Sequence, residues 1–165
     1  MTTTKYDKAV SVCFSGHRAI PSHMQKAVRR QVRKEIERAY KRGSRNFFCG
    51  MALGFDTEAA IAALSLQSEY QDLMVIAVVP FLGQADRWSE KERERYRNIL
   101  GIMDDVIVLS EDYHSGCLLR RNDWMLEHSS SVIAYFDGQL RGGTYYTCKQ
   151  ARLLGLPITN LYDNT

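Results

Sequence analysis

Val10-Ser11-Val12-Cys13-Phe14-Ser15-Gly16-His17-Arg18 is a short apolar run that ends on a glycine turn. It reads as a buried strand followed by a tight loop. The same order recurs twice. Gly50-Met51-Ala52-Leu53-Gly54-Phe55-Asp56 follows the run Asn46 to Cys49, and Gly142-Gly143-Thr144 comes a few residues after Val132 to Phe136. A segment of helical character follows each turn. Glycine lets backbone N–H groups come close to a ligand, and a helix N-terminus adds partial positive charge. Three such turns on one sheet predict a pocket for a phosphorylated, nucleotide-like molecule.

Working outward, strands are expected at Val10 to Phe14, Asn46 to Cys49, Met74 to Val79, Asp105 to Leu109, Val132 to Phe136 and Ile158 to Leu161. Helices fill the gaps. The first opens at Pro21-Ser22, with Ser22 as N-cap and Gln25 placed for a capping box. It buries Val28, Val32, Ile36 and Tyr40 at i+4 and ends at Gly43. The second runs from Thr57 to Glu69, capped by Asp56 and rich in alanine, so that it can lie close on a sheet. Three more are expected at Ser89 to Leu100, Leu118 to Ser129 and Thr144 to Leu154, the last stopped by Gly155. Strict alternation predicts an α/β fold of three layers: a mostly parallel sheet of about six strands, helices on both faces and right-handed crossovers. Ligands bind such sheets beyond the carboxyl ends of the strands, where strand order reverses.

The 165 residues fit one domain, 1–165, with residues 1–8 expected to be a flexible terminus. Those first residues lack a signal-peptide pattern, and no run approaches the ~20 apolar residues that cross a bilayer. A cytoplasmic location without membrane association is the expectation. Cys13, Cys49, Cys117 and Cys148 form no C-x-x-C pair and read as free, mostly buried thiols. His17, His23, His114 and His128 show no metal-ligand spacing, so no metal site is expected. Net charge is only +3, but Lys26 to Arg45 holds nine Lys or Arg against Glu35 and Glu37. That stretch reads as an exposed amphipathic face, with a nucleic-acid footprint as the alternative. No aromatic interleaving supports the footprint.

The dinucleotide fingerprint G-x-G-x-x-G and the P-loop Gly-Lys-Ser/Thr are both absent, which disfavours a standard NAD or kinase-type ATP site. Arg18 beside its glycine turn has the fork geometry that grips phosphate. Asp56 either caps its helix or meets a ribose or base, or acts as general acid/base. Arg120-Arg121-Asn122 open a helix toward the same edge, and one of the two arginines is expected at the ligand. Trp88 and Trp124 read as packing residues, with Trp88 placed to reach the pocket. The candidate ligand- and phosphate-binding residues are Gly16, His17, Arg18, Gly50, Gly54, Asp56, Arg121, Asn122, Gly142, Gly143 and Thr144.

Ser15-Gly16-His17-Arg18, Gly50-x-x-x-Gly54-Phe55-Asp56, Arg121-Asn122 and Gly143-Thr144 with Ala151 and Gly155 together resemble the SLOG superfamily. Within it the chain is most similar to bacterial YpsA-like proteins, from about Val10 to Tyr162. The order also resembles the Rossmann-like part of DNA-processing protein A, with its Gly-Ser-Arg turn, Gly-Ile-Asp turn and Arg-Asn helix start. The resemblance implies a Rossmann-like sheet and a pocket for nucleotides or nucleotide-derived ligands. LOG-type phosphoribohydrolases of the superfamily cleave N-glycosidic bonds and carry Pro-Gly-Gly-x-Gly-Thr-x-x-Glu. That signature is not intact in Leu140 to Cys148. The expectation is a binding or sensing module that requires no cofactor and passes its state to a protein partner. The alternatives are a nucleotide-processing enzyme with Asp56 as general acid/base, and a single-stranded nucleic-acid binder.

Overall fold

A computed structural model describes residues 5–162. Six strands, β1 (Ser11–Gly16), β2 (Asn46–Cys49), β3 (Met74–Val79), β4 (Asp105–Val108), β5 (Ser131–Tyr135) and β6 (Ile158–Asn160), alternate with five α-helices. These are α1 (Gln25–Lys41), α2 (Phe55–Leu66), α3 (Glu90–Gly101), α4 (Cys117–Glu127) and α5 (Gly142–Leu153). The strands form one sheet in the order β4-β3-β2-β1-β5-β6. Every neighbouring pair is parallel, so the sheet is wholly rather than mostly parallel. β1 runs two residues beyond the expected Phe14, because Ser15 and Gly16 still pair with Ala134 and Tyr135 of β5.

Side chains alternate across the sheet with the period of two that a pleated strand imposes. Val12, Phe14, Phe47, Val75, Ala77 and Tyr135 enter one core with α1 and α2. Cys13, Phe48, Ile76, Val78 and Ala134 enter a second with Met125 and Leu126 of α4 and Ala151 of α5. This is the physical content of three layers: each face is apolar and each is covered by helices. Phe14, Phe47 and Phe48 are fully buried, each contributing about 1.5–3 kcal/mol relative to exposure. Ala59 and Ala63 are also fully buried in α2 and keep that helix close to the strands. The edge strand β4 is covered less well, and Val106 and Val108 remain exposed.

α1 ends as its sequence predicts. Gly43 takes φ 115°, its N–H donates to Tyr40 O, and Ser44 N–H donates to Ala39 O, the paired bonds of a Schellman cap. Its start differs from expectation. Ser22–Met24 form a single 3₁₀ turn, Met24 N–H donates to Pro21 O at 2.8 Å, and the α-helix begins at Gln25 without a side-chain cap. The backbone turn after Pro21 takes the place of the expected capping box. The four cysteines are buried and free. Of the terminus expected to be loose over 1–8, residues 1–4 lie outside the described residues. From Lys5 the chain is docked: Tyr6 donates to Asp105 Oδ2 at 2.6 Å and its ring meets Phe48 edge-on. Among the described residues no helix is long and apolar enough to cross a membrane, and no three His, Cys, Asp or Glu gather as a metal site.

Candidate ligand cleft at the strand-order switch

The sheet grows from β1 through β2 and β3 to β4, then resumes on the other side of β1 with β5 and β6. Strand order therefore reverses between β1 and β5, and the crevice beyond their carboxyl ends is the favoured place for a ligand. A cleft of about 440 Å³ lies there, within the usual size of small-molecule sites. Gly16, His17 and Arg18 come to it from the first turn, and Asp56 from the second. α4 supplies Arg121 and Asn122, and Gly142, Gly143 and Thr144 come from the start of α5. Gly50 and Gly54, expected to offer their backbone to the ligand, are not in its wall.

Their roles are geometric. A Cβ on Gly50 would stand 2.7 Å from Nη1 of Arg121. Gly54 has φ 78° and ψ −119°, a region closed to residues with a Cβ, and lies against the backbone of His17 and Arg18. Gly16 likewise leaves room for the Phe55 ring. The second turn is drawn onto the first because both are bare at the point of contact. Met51 between Gly50 and Gly54 has φ 60°, an uncommon conformation for a residue that carries a side chain.

His17 fastens all three turns. Its backbone N–H donates to Tyr135 O at 3.2 Å, and its carbonyl accepts from Phe55 N–H at 3.0 Å. Its Nε2 accepts from Asp137 N–H at 2.8 Å. Asp137 opens the loop that leads to Gly142, so His17 sets the rim's shape while lining it.

Three groups give the cleft its electrostatic character. α5 opens at Gly142 without a side-chain cap, which leaves its first N–H groups facing out beside the 8%-exposed Thr144. Arg18 is exposed and makes no hydrogen bond or ion pair with any described residue. Arg121 is buried, with Nη1 donating to Gly50 O and Nε donating to Asn122 Oδ1 at 2.8 Å. Its Nη2 has no partner among the described residues. The neighbouring arginines thus part ways. Arg120 points out and donates to Leu109 O at 3.2 Å, while Arg121 turns in. Gln84, which no sequence motif marks, is buried and donates to Gly50 O at 3.1 Å, holding the same carbonyl.

Asp56 is not the N-cap. α2 starts at Phe55, two residues before the expected Thr57, Gly54 is the capping position, and the Asp56 carboxylate turns back to accept Ala52 N–H at 3.1 Å. Burial pushes its pKa up to about 6, against the pull of Arg121, the Ala52 N–H and Arg18. In the folded protein the carboxyl therefore holds its proton to higher pH than in the unfolded chain, whose value is about 3.9. Stability from this group is complete below pH ~4 and is lost as pH rises through 6, by about 3 kcal/mol in all. Urea unfolding between pH 4 and 8 is expected to show this loss in the wild type and a flatter profile in Asp56→Asn. Identical profiles would remove Asp56 as its source.

Trp124 is a packing residue, edge-on to Phe48 and stacked on His128. Trp88 does not reach the cleft. It lines a separate pocket of about 250 Å³ on the far side of the second turn.

A wholly parallel three-layer sheet with a polar cleft at its switch point defines a Rossmann-like α/β protein. Residues 16–154 match the model of the YspA SLOG family, and the chain belongs to that family. A UPF0398 protein of Bacillus licheniformis is 32% identical over 102 residues, 61% of this chain and 56% of that protein. A UPF0398 protein of Bacillus velezensis is 28% identical over 131 residues, 78% of this chain and 70% of the relative. The SPbeta prophage-derived protein YoqJ of Bacillus subtilis is 25% identical over 114 residues, 62% of this chain and 67% of YoqJ. The match thus spans little more than half of the first of these relatives. Among solved structures, DNA processing protein A from Helicobacter pylori superposes with a TM-score of 0.64 at 19% identity. That superposition covers 90% of this chain and 63% of the other, and it establishes a shared fold.

Proposed function

We propose that the chain is a binding module for a nucleotide or nucleotide-derived phosphorylated ligand, seated in the cleft between β1 and β5. One observation carries the reading. The uncapped start of α5, the unpartnered Arg18 and the open Nη2 of Arg121 converge on a single concavity. Arg18 and the first N–H groups of α5 face solvent without a protein acceptor, and a phosphate supplies charged acceptor oxygens to them and to Arg121. Asp56 and Asn122 then stand toward the sugar or base.

Binding is favoured over hydrolysis by the residues past Thr144. The LOG-type signature places its glutamate three positions beyond the threonine. Thr147 stands there, almost fully buried, with its hydroxyl donated to Gly143 O at 2.9 Å. No carboxylate enters from that turn.

A single-stranded nucleic acid is the second reading. The Helicobacter pylori DNA processing protein A that shares the fold has a single-stranded DNA binding mode. In this chain Lys26, Arg30 and Lys34 form a line along α1, each without an ion-pair partner among the described residues.

Calorimetric titration of nucleoside mono- and diphosphates into the wild type and Arg18→Ala tests the first reading. Loss of a charged phosphate contact is expected to weaken binding by about tenfold or more. Equal affinities for the two proteins, or no binding by either, would refute it. A single-stranded oligonucleotide titrated at two salt concentrations forms the other arm. Affinity that falls steeply with salt would favour the backbone-contact reading.

A further inference from the structure

The unpartnered Arg18 stands in the wall of the cleft, of the 250 Å³ pocket beside it and of a third pocket along His17, Met24 and Tyr135; it is the residue that the first two share. The second glycine turn is the ridge between them. Asp56 faces the cleft, while Gly54 and Thr57 face the neighbour. The neighbour differs in chemistry. Its flat wall is Trp88, held edge-on by Tyr96 at 5.3 Å and 88°. Met51 and Ile99 give it an apolar floor. Its polar groups include two carboxylates and the guanidinium of Arg95. Glu58 is 2% exposed and held by Arg29 at 2.7 Å and Arg95 at 3.5 Å. Glu92 lines the same pocket, and its carboxylate has no partner among the described residues.

Glu58 is neutralised by its two arginines, while the unpaired Glu92 carboxylate disfavours a phosphate and accepts hydrogen bonds from ring N–H groups and sugar hydroxyls. An indole face offers stacking that is tolerant of base identity. The pocket therefore suits a neutral heterocycle, and the cation it shares with the cleft is Arg18.

Resting on the anion-binding reading of the cleft, we propose that the ligand is of dinucleotide type. One nucleoside end lies in the cleft, the linking phosphates lie under Arg18, and the second base stacks on Trp88. Arg18 is the residue through which the cleft and the Trp88 pocket join.

The test is calorimetry on the full chain with AMP and P1,P2-diadenosine diphosphate, for wild type, Trp88→Ala and Trp88→Phe. The two-base compound is expected to bind the wild type at least about tenfold tighter than AMP. Trp88→Ala should erase that advantage while leaving AMP affinity within about twofold, and Trp88→Phe should keep most of it, since phenylalanine retains a stacking face. Equal wild-type affinity for the two compounds would overturn the proposal while leaving the cleft reading in place. So would an advantage that survives in Trp88→Ala, or a loss shared equally by AMP. Failure of both compounds to bind the wild type would overturn the cleft reading and this extension with it. Thermal unfolding of each variant identifies any loss that comes from misfolding, and Trp88→Phe keeps the test decisive if Trp88→Ala is unstable.

Discussion

Gly54→Ala is expected to lower the unfolding free energy by about 3–5 kcal/mol, from backbone strain and overpacking together. Gly54 sits at φ 78° and ψ −119°, where a residue with a Cβ is strained whatever surrounds it. The added Cβ would also lie 2.5 Å from the carbonyl oxygen of His17 and closer still to that of Arg18. Both obstacles are backbone, so no side chain can swing aside. Relief would push the second turn off the first, and Phe55 N–H would lose its bond to His17 O. Gly142→Ala is the control. Gly142 has φ 90° and open space around it, so only strain of about 1–2 kcal/mol applies. Urea unfolding of both variants measures the difference. Equal losses would mean that the contact between the turns relaxes freely and that the rim is not held by this glycine.

That contrast shows where reading the chain in one dimension stops. The glycine turns are legible because each sits at a strand end, and their arrival at one rim follows from a parallel sheet. Which glycines clear space for a neighbour is not legible. Gly50 faces Arg121, seventy-one positions away in sequence, and spacing carries no trace of such a meeting. Adjacent arginines pose the same problem. Arg120 and Arg121 lie about 100° apart on a helix, and only the sheet beneath decides which one is inward. Asp56 reads as an N-cap because acid, small residue and helix start coincide. The tight turn at Gly54 moves the helix start back by two residues and leaves the carboxylate facing the cleft. Ser22 misleads for a related reason: Pro21 sets up a backbone turn that makes a side-chain cap unnecessary. Trp88 lies at the expected edge but on the other side of the ridge, since a loop's direction after its strand is not written in its composition.

Arg121→Leu is expected to be the second large effect, a loss of about 3–5 kcal/mol at pH 7. Arg121 is 5% exposed, so its removal breaks buried charged hydrogen bonds to Gly50 O and Asn122 Oδ1. Gln84 keeps one bond to Gly50 O, which limits that part of the loss. The larger part comes from Asp56. Arg121 is the strongest attraction holding the Asp56 pKa down against burial. Without it the carboxyl would titrate higher, and ionised Asp56 would be a buried charge with weaker compensation. The loss should therefore be larger at pH 8 than at pH 4, where Asp56 is protonated in both proteins. The double variant Arg121→Leu/Asp56→Asn should recover part of it, with a coupling of about 0.5–3 kcal/mol. Strict additivity across the four proteins would separate the two residues energetically and undo the electrostatic account of the cleft. Coupling would show that the fold keeps a desolvated acid beside a desolvated guanidinium, an arrangement that a well-packed apolar pair would match or exceed in stability. That pair stands at the crevice beyond β1 and β5, where strand order reverses.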